Sequence, residues 1–237
     1  MKRLHEKLPS YIAVEKFNHD WTARRGSEEF RRTLEIGAGL GEHLKFERTP
    51  GKTKLVSRPG LPSGILTTVQ ESEYWTLELH SNMAAEIENR LPQVRTVVGN
   101  CQDEFDFRAN CFSRIVAIYL QEHLPDLPAA IKEVRRLCYK ERAAFQVVVP
   151  CEGSLAYGFC RRISEQRTFE KLYRPSYRWF VEREHINLPG KSHKTLVRIC
   201  LWRNALIFQF RFRSCSAIFA SAMNLRPKPG VNPPGER

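Results

Sequence analysis

The chain has 237 residues, enough for one substantial α/β core with an appended subdomain. No run is long and apolar enough to span a bilayer, and the opening MKRLHEKLPSYIAVEKF is too polar for a secretory signal, so a membrane-spanning or exported protein is not expected. The seven cysteines (Cys101, Cys111, Cys138, Cys151, Cys160, Cys200, Cys215) include no C-x-x-C, so no metal site is expected, and their odd number favours reduced thiols and a cytoplasmic setting.

In chain order, the first legible element is a short apolar strand ending at Glu35 in LEIGAGLGEHL, Leu34 to Leu44. Gly37, Gly39 and Gly41 follow at alternating positions, and the pattern then turns helical. Glycines at such a turn tolerate positive φ and let backbone N–H groups approach a nucleotide-like ligand. Thr49 to Thr67, rich in Pro, Gly, Ser and Lys, shows neither strand nor helix period and reads as an inserted surface loop. Tyr74 to Leu79 reads as a second strand, with Glu78 near its C-terminal end, where an acid can accept from two ribose hydroxyls.

Ser81 can cap the next helix, which places Met83, Ala84 and Ile87 on one face. Val94 to Val98 is a third strand, followed by GNCQDEF, and Ile115 to Tyr119 a fourth, followed by Gln121, Glu122 and His123. Asp126 can cap a helix with Pro128 in its first turn and Leu127, Ile131, Val134 and Cys138 on one face. Ala143 to Val149 is a fifth strand, closing at Pro150. This alternation predicts an α/β fold: a Rossmann-like, mostly parallel sheet with helices on both faces. Gly37–Gly41, Glu78, Asn100–Gln102 and Gln121–His123 all fall at predicted carboxyl ends, the ligand-binding edge of such a sheet.

From about Leu34 to Pro150 the chain resembles the class I S-adenosylmethionine-dependent methyltransferases, of the small-domain, type 11-like kind. The resemblance is carried by LEIGAGLGEHL, YWTLELHSNM and SRIVAIYLQEHLPDLPAAIKEVRRL. It implies S-adenosyl-L-methionine as cofactor and a methyl acceptor, most simply a small molecule. It also implies roles. Glu35, Ala38 and the backbone at Gly37, Gly39 and Gly41 would hold the methionine portion. Glu78 and Leu79 would hold the ribose. Asn100, Cys101 and Gln102 would lie beside the adenine, and Tyr119, Leu120 and Gln121, with Glu122 and His123, near the sulfonium. Asn100 stands where the family often has aspartate, YKER (139–142) replaces a Pro-Gly turn, and Glu78 comes late because of the 49–67 insertion.

One domain over 1–237 is expected, with its core at 28–150, its substrate side and C-terminal region at 151–227, and a frayed tail at 228–237. Beyond Pro150, ISEQRTFEKLY reads as a helix, and YRWFVEREHIN offers Trp179, Phe180, Glu184, His185 and Asn187 toward an acceptor. His185 and His123 are the two candidate general bases, since imidazole titrates near neutrality. Thr195 to Trp202 and Ala205 to Phe212 read as strands, with Cys215 to Met223 pairing back; the resemblance implies a final antiparallel hairpin. From Cys151 onward, 16 Lys and Arg face 6 Asp and Glu. Arg161, Arg162, Arg167, Lys171, Arg174 and Arg178 lie among aromatics there, so RNA or an anionic surface is a further partner class.

Two other readings share this arrangement. A nicotinamide-dependent oxidoreductase uses G-x-G-x-x-G, whose third glycine would stand at position 42, here Glu42. A non-catalytic binding protein could keep the fold without the chemistry.

Overall fold

A computed structural model describes residues 9–24, 31–47, 53–57, 66–70, 73–139, 143–150, 165–173, 176–187, 192, 194–195, 202–209 and 220–227. The strands are β1 (Arg32–Ile36), β2 (Thr53–Ser57), β3 (Leu66–Gln70), β4 (Glu73–Glu78), β5 (Arg95–Val98), β6 (Arg114–Ile118), β7 (Ala144–Pro150), β8 (Trp202–Gln209) and β9 (Ala220–Pro227). The helices are α1 (Pro9–Arg24), α2 (Ser81–Arg90), α3 (Leu127–Leu137), α4 (Glu165–Tyr173) and α5 (Tyr177–Glu184).

The main sheet has the order β5-β4-β1-β6-β7-β9-β8. The first five strands run parallel, while β9 pairs antiparallel with β7 and with β8. RIVAI and AFQVVVP are buried along their whole length, as strands covered on both faces must be. Strand order reverses beside β1, so the crevice beyond the carboxyl ends of β1 and β6 is the place for a ligand.

One face of the sheet packs on α3. Asp126 accepts from Ala129 N at 3.0 Å and Pro128 occupies the first turn, as the sequence predicts. Leu127, Ile131, Val134 and Leu137 join Leu34, Ile115 and Phe145 in the largest apolar cluster. The same helix restrains the loop after β5. Arg136 donates to the Phe105 and Phe107 carbonyls at 2.8 and 2.7 Å, and Glu133 accepts from Phe105 N at 3.2 Å.

The opposite face is covered partly by α1, for which no element was expected. Trp21 packs on Val116, Ile118 and Val148. Beneath it lies a buried polar network. Arg114 donates to Glu47 Oε1 (2.8 Å), Gln146 Oε1 (2.7 Å) and the Thr22 carbonyl (3.1 Å). His43 Nε2 lies 2.8 Å from Glu47 Oε1. Burial raises the Glu47 carboxyl, but bonds from His43 and Arg114 outweigh it and hold the group below its ordinary value. Removing one partner of such a pair leaves a buried charge uncompensated. Arg114→Ala is therefore expected to destabilise by about 3–5 kcal/mol in urea unfolding; a loss under about 1 kcal/mol would show that Glu47 does not depend on it.

Several expectations are corrected. The 49–67 insertion is not irregular throughout: β2 and β3 form a separate antiparallel pair, Thr53 opposite Gln70 and Ser57 opposite Leu66. The runs TKLVS and LTTVQ are β-rich and lie among Pro and Gly, the ordinary signature of paired strands. After the glycines the described residues form a single 3-10 turn, His43–Lys45. Ser81 is the first helical residue of α2 rather than its cap, and Met83 is exposed while Ala84 and Ile87 are buried. Lys194 and Thr195 are helical, and 196–201, the rest of the strand expected before Trp202, lie outside the described residues; the strand expected at 205–212 lies at 202–209, and the one expected at 215–223 lies at 220–227. Residues 151–164, with Arg161 and Arg162, as well as Arg174 and the 228–237 tail, lie outside the described residues. Among the described residues no helix is long and apolar enough to cross a membrane.

Candidate active site

The carboxyl edge of β4, β1 and β6 gathers the predicted segments. Gly37, Gly39 and Gly41 all have positive φ, at 69°, 59° and 72°. Each role differs. A Cβ on Gly37 would sit 2.7 Å from Leu120 Cδ1, so this glycine lets the end of β6 pack against the turn. A Cβ on Gly39 would have no heavy atom within 4 Å, so the turn is open on that side.

Glu78 completes the opening. Its Oε2 accepts from Gly39 N at 2.8 Å and its Oε1 from His80 N at 3.1 Å. Gly37 N donates to the Leu77 carbonyl at 2.8 Å, and Gly99 N to that of Glu78 at 3.0 Å. One carboxylate therefore ties the glycine turn of β1 to the end of β4. Each of its oxygens keeps a further lone pair for a ligand. Leu79, next to it, is exposed.

Asn100 is committed within its own turn. Its Oδ1 accepts from Gln102 N (3.1 Å) and Gln102 Nε2 (2.9 Å), which closes the turn after β5 on itself. Gln102 Oε1 in turn accepts from Asp126 N at 2.6 Å, so the turn is tied to the start of α3. Burial pushes the Cys101 thiol up to about 11, which leaves it protonated and unreactive near neutrality.

Glu35, like Glu78, is buried. Tyr74 Oη donates to its Oε2 at 3.1 Å. Burial pushes the carboxyl up to about 8; the Tyr74 bond and Arg114 pull it down, while Glu47 and Glu78 push it further up. Tyr119 has φ 53°, a left-handed conformation that a tyrosine adopts only at a cost of about 1–2 kcal/mol. Its hydroxyl accepts from Asn18 Nδ2 on α1, and its N–H donates to the Val148 carbonyl at 2.9 Å. After this bend come Leu120 and then Gln121, Glu122 and His123.

Those residues form a 3-10 turn, Gln121–His123. Gln121 is 1% exposed, yet among the described residues neither atom of its side-chain amide has a hydrogen-bond partner. The two candidate bases meet here: the His123 and His185 rings touch edge-to-face, centroids 4.8 Å apart. His123 Nδ1 lies 2.9 Å from the Glu184 carbonyl oxygen. A carbonyl only accepts, so Nδ1 carries the proton, and the neutral ring has its lone pair on Nε2.

Phe180 packs in the apolar cluster of Phe169, Tyr177 and Val181, while Trp179 is exposed under Arg183, 4.5 Å from its ring centre. Asn18, Tyr74 and Arg114 were missed as site neighbours. None has a local signature, because each acts on a residue distant in sequence.

Residues 57–141 match the family model described as a methyltransferase domain. Over that stretch, 85 of the 237 residues, the chain is similar to methyltransferase domains. Solved structures share the fold of this domain. A SAM-dependent methyltransferase of Thermotoga maritima, described as a possible histamine N-methyltransferase, is 15% identical, with 94% of this chain and 97% of that one covered at a TM-score of 0.58. The trans-methyltransferase CalH in complex with SAH is 15% identical, with 91% and 59% covered at 0.55. The [4+2]-cyclase SpnF is 11% identical, with 93% and 83% covered at 0.58. No curated protein sequence matches the chain.

The match, and the SAH held by one of these neighbours, make S-adenosylmethionine the cofactor against which the site is compared. The residues present fit that cofactor. The open side of Gly39, the Glu78 carboxylate beside it and the unpartnered Gln121 amide suit a nucleoside with hydroxyls and a polar tail.

Proposed function

We propose that the open edge between Gly39 and Glu78 binds S-adenosylmethionine, and that the Gln121–His123 turn presents a small-molecule acceptor to it. The observation that carries this reading is the 2.8 Å bond from Gly39 N to Glu78 Oε2 at a turn with open space beside it. When bound, the cofactor supplies an electrophilic methyl on a sulfonium. Glu78 accepts from the ribose hydroxyls with its remaining lone pairs. The backbone from Gly37 to Gly41, with Ala38, cradles the methionine portion, with Glu35 behind it. Asn100, Cys101 and Gln102 flank the adenine, and Leu79, Tyr119 and Leu120 close the apolar walls. Gln121 supplies hydrogen bonds to whichever polar group enters.

For a hydroxyl acceptor, His123 takes the proton at Nε2, oriented by the Glu184 carbonyl at Nδ1. His185 buttresses that ring. The carbonyl contact favours His123 as the base and His185 as its support.

The charges within α4 and α5 balance, which supports a small molecule over RNA at these two helices. On α4 and α5, Arg167, Lys171, Arg178 and Arg183 are matched by Glu165, Glu170, Glu182 and Glu184. Arg178 Nε bonds Glu182 at 2.7 Å. A cytoplasmic setting, inferred from the cysteines, goes with this reading.

Calorimetric titration tests it. S-adenosylmethionine or S-adenosylhomocysteine should bind and NADH should not; the reverse would point to an oxidoreductase, and binding of neither to a scaffold. Glu78→Ala should weaken cofactor binding by about 1.5–3 kcal/mol, the scale of a hydrogen bond to a charged group. Unchanged affinity would remove Glu78 from the ribose role. A metabolite screen with labelled methyl donor would then identify the acceptor.

A further inference from the structure

The segment that ends α5 is bound to the Gln121–Leu124 turn through the turn's main chain. Asn187 Nδ2 donates to the Gln121 carbonyl at 2.9 Å and to the Leu124 carbonyl at 2.6 Å. The Glu122 carbonyl accepts from Ile186 N at 2.8 Å and from Asn187 N at 3.2 Å. Glu184 O meets His123 Nδ1 at 2.9 Å. Asn187 is 2% exposed.

One NH2 group thus satisfies two carbonyls three residues apart. Aspartate has no donor for them, and leucine of the same size has none either. The cost of losing such a donor is high because the carbonyls are left buried and unpaired. The turn's carbonyls are drawn toward Asn187, whereas the Gln121 amide has no hydrogen-bond partner among the described residues.

Resting on the function proposed above, we infer that Asn187 is a positioning residue. It orients Gln121 and His123 for methyl transfer by holding the main chain of the turn, and thereby couples the acceptor-side helix α5 to the cofactor edge. It does not touch the reacting atoms itself.

The test uses the full chain with Asn187→Leu, which keeps the size and removes the donors, and Asn187→Ser, which keeps one donor. Val181→Ala serves as a control. It loosens the apolar contact of α5 with Phe169 and Tyr177 but leaves the Asn187 bonds in place. Two readouts are combined. The first is S-adenosylhomocysteine affinity in a double-mutant cycle with Gln121→Ala. Asn187→Leu should weaken binding about tenfold in the native background and less than about twofold when Gln121 is already Ala. The second is the pH titration of the His123 ring by NMR, without ligand. Its midpoint should move in Asn187→Leu, move less in Asn187→Ser, and stay in place in Val181→Ala. Additive losses in the cycle, or a His123 titration that tracks thermal stability alone in all three variants, would overturn the assignment and leave Asn187 as a structural clasp. Should the native protein bind no cofactor, the functional reading falls, and the ligand-free His123 titration still decides whether Asn187 sets that ring.

Discussion

Gly39→Val should abolish detectable cofactor binding, a loss of about a hundredfold or more, while leaving the far-ultraviolet circular dichroism unchanged. Gly39 sits at φ 59°, where a β-branched residue is strained by about 1–2 kcal/mol. A Cβ there meets no atom of the protein within 4 Å, so the fold itself is not contradicted. The new side chain instead fills the space proposed for the ligand. It also pulls the N–H away from the Glu78 carboxylate, which lies 2.8 Å off. Gly37→Val offers the contrast. Its Cβ would collide with Leu120 at 2.7 Å, so binding and stability should fall together. Retained binding by Gly39→Val would show that the glycine turn is only a structural bend.

The second large effect concerns Glu35 and pH. Its carboxyl is pushed from 4.5 up to about 8, chiefly by burial, so between those values the folded protein holds a proton that the unfolded chain has released. Stability must then fall as pH rises through that window. His43 opposes it. Burial lowers its ring from 6.5 to about 4, with Arg114 and His19 lowering it further against the pull of Glu47. Between about 4 and 6.5 the unfolded chain therefore binds the extra proton, and stability rises with pH.

The two slopes offset each other over their overlap, and the Glu35 slope stands alone from about 6.5 to about 8. One proton over that interval corresponds to roughly 2 kcal/mol. Urea midpoints of the native protein should fall accordingly between pH 6.5 and pH 8. Glu35→Gln keeps an oxygen to accept from Tyr74 and has nothing to ionise, so its midpoint should stay level. Parallel slopes for the two proteins would mean that Glu35 is already ionised in the folded state.

What could be read in the linear chain was local. The five parallel strands announce themselves as short apolar runs, and the cap and first turn of α3 by Asp126 and Pro128. The glycine turn and Glu78 follow from turn chemistry and from the rule that ligands bind at strand carboxyl ends. The β2–β3 pair was legible too, since TKLVS and LTTVQ carry the β-rich signature, but the intervening Pro and Gly masked it. The last two C-terminal strands expected were displaced by a few residues because apolar runs without clear turn signals leave boundaries undefined.

The sequence by itself determined the layout: which strands form, where the chain must bend, and that an acid and three glycines share one edge. Only the tertiary structure decided how the polar groups are partnered. It placed His123 against His185, closed the Asn100 oxygen onto Gln102, buried Glu35 beneath Tyr74, and hung the Gln121 turn from Asn187. The reason is physical. Strand period and glycine φ depend on near neighbours along the chain, whereas burial, desolvation and hydrogen-bond pairing depend on residues that meet only when distant segments fold together.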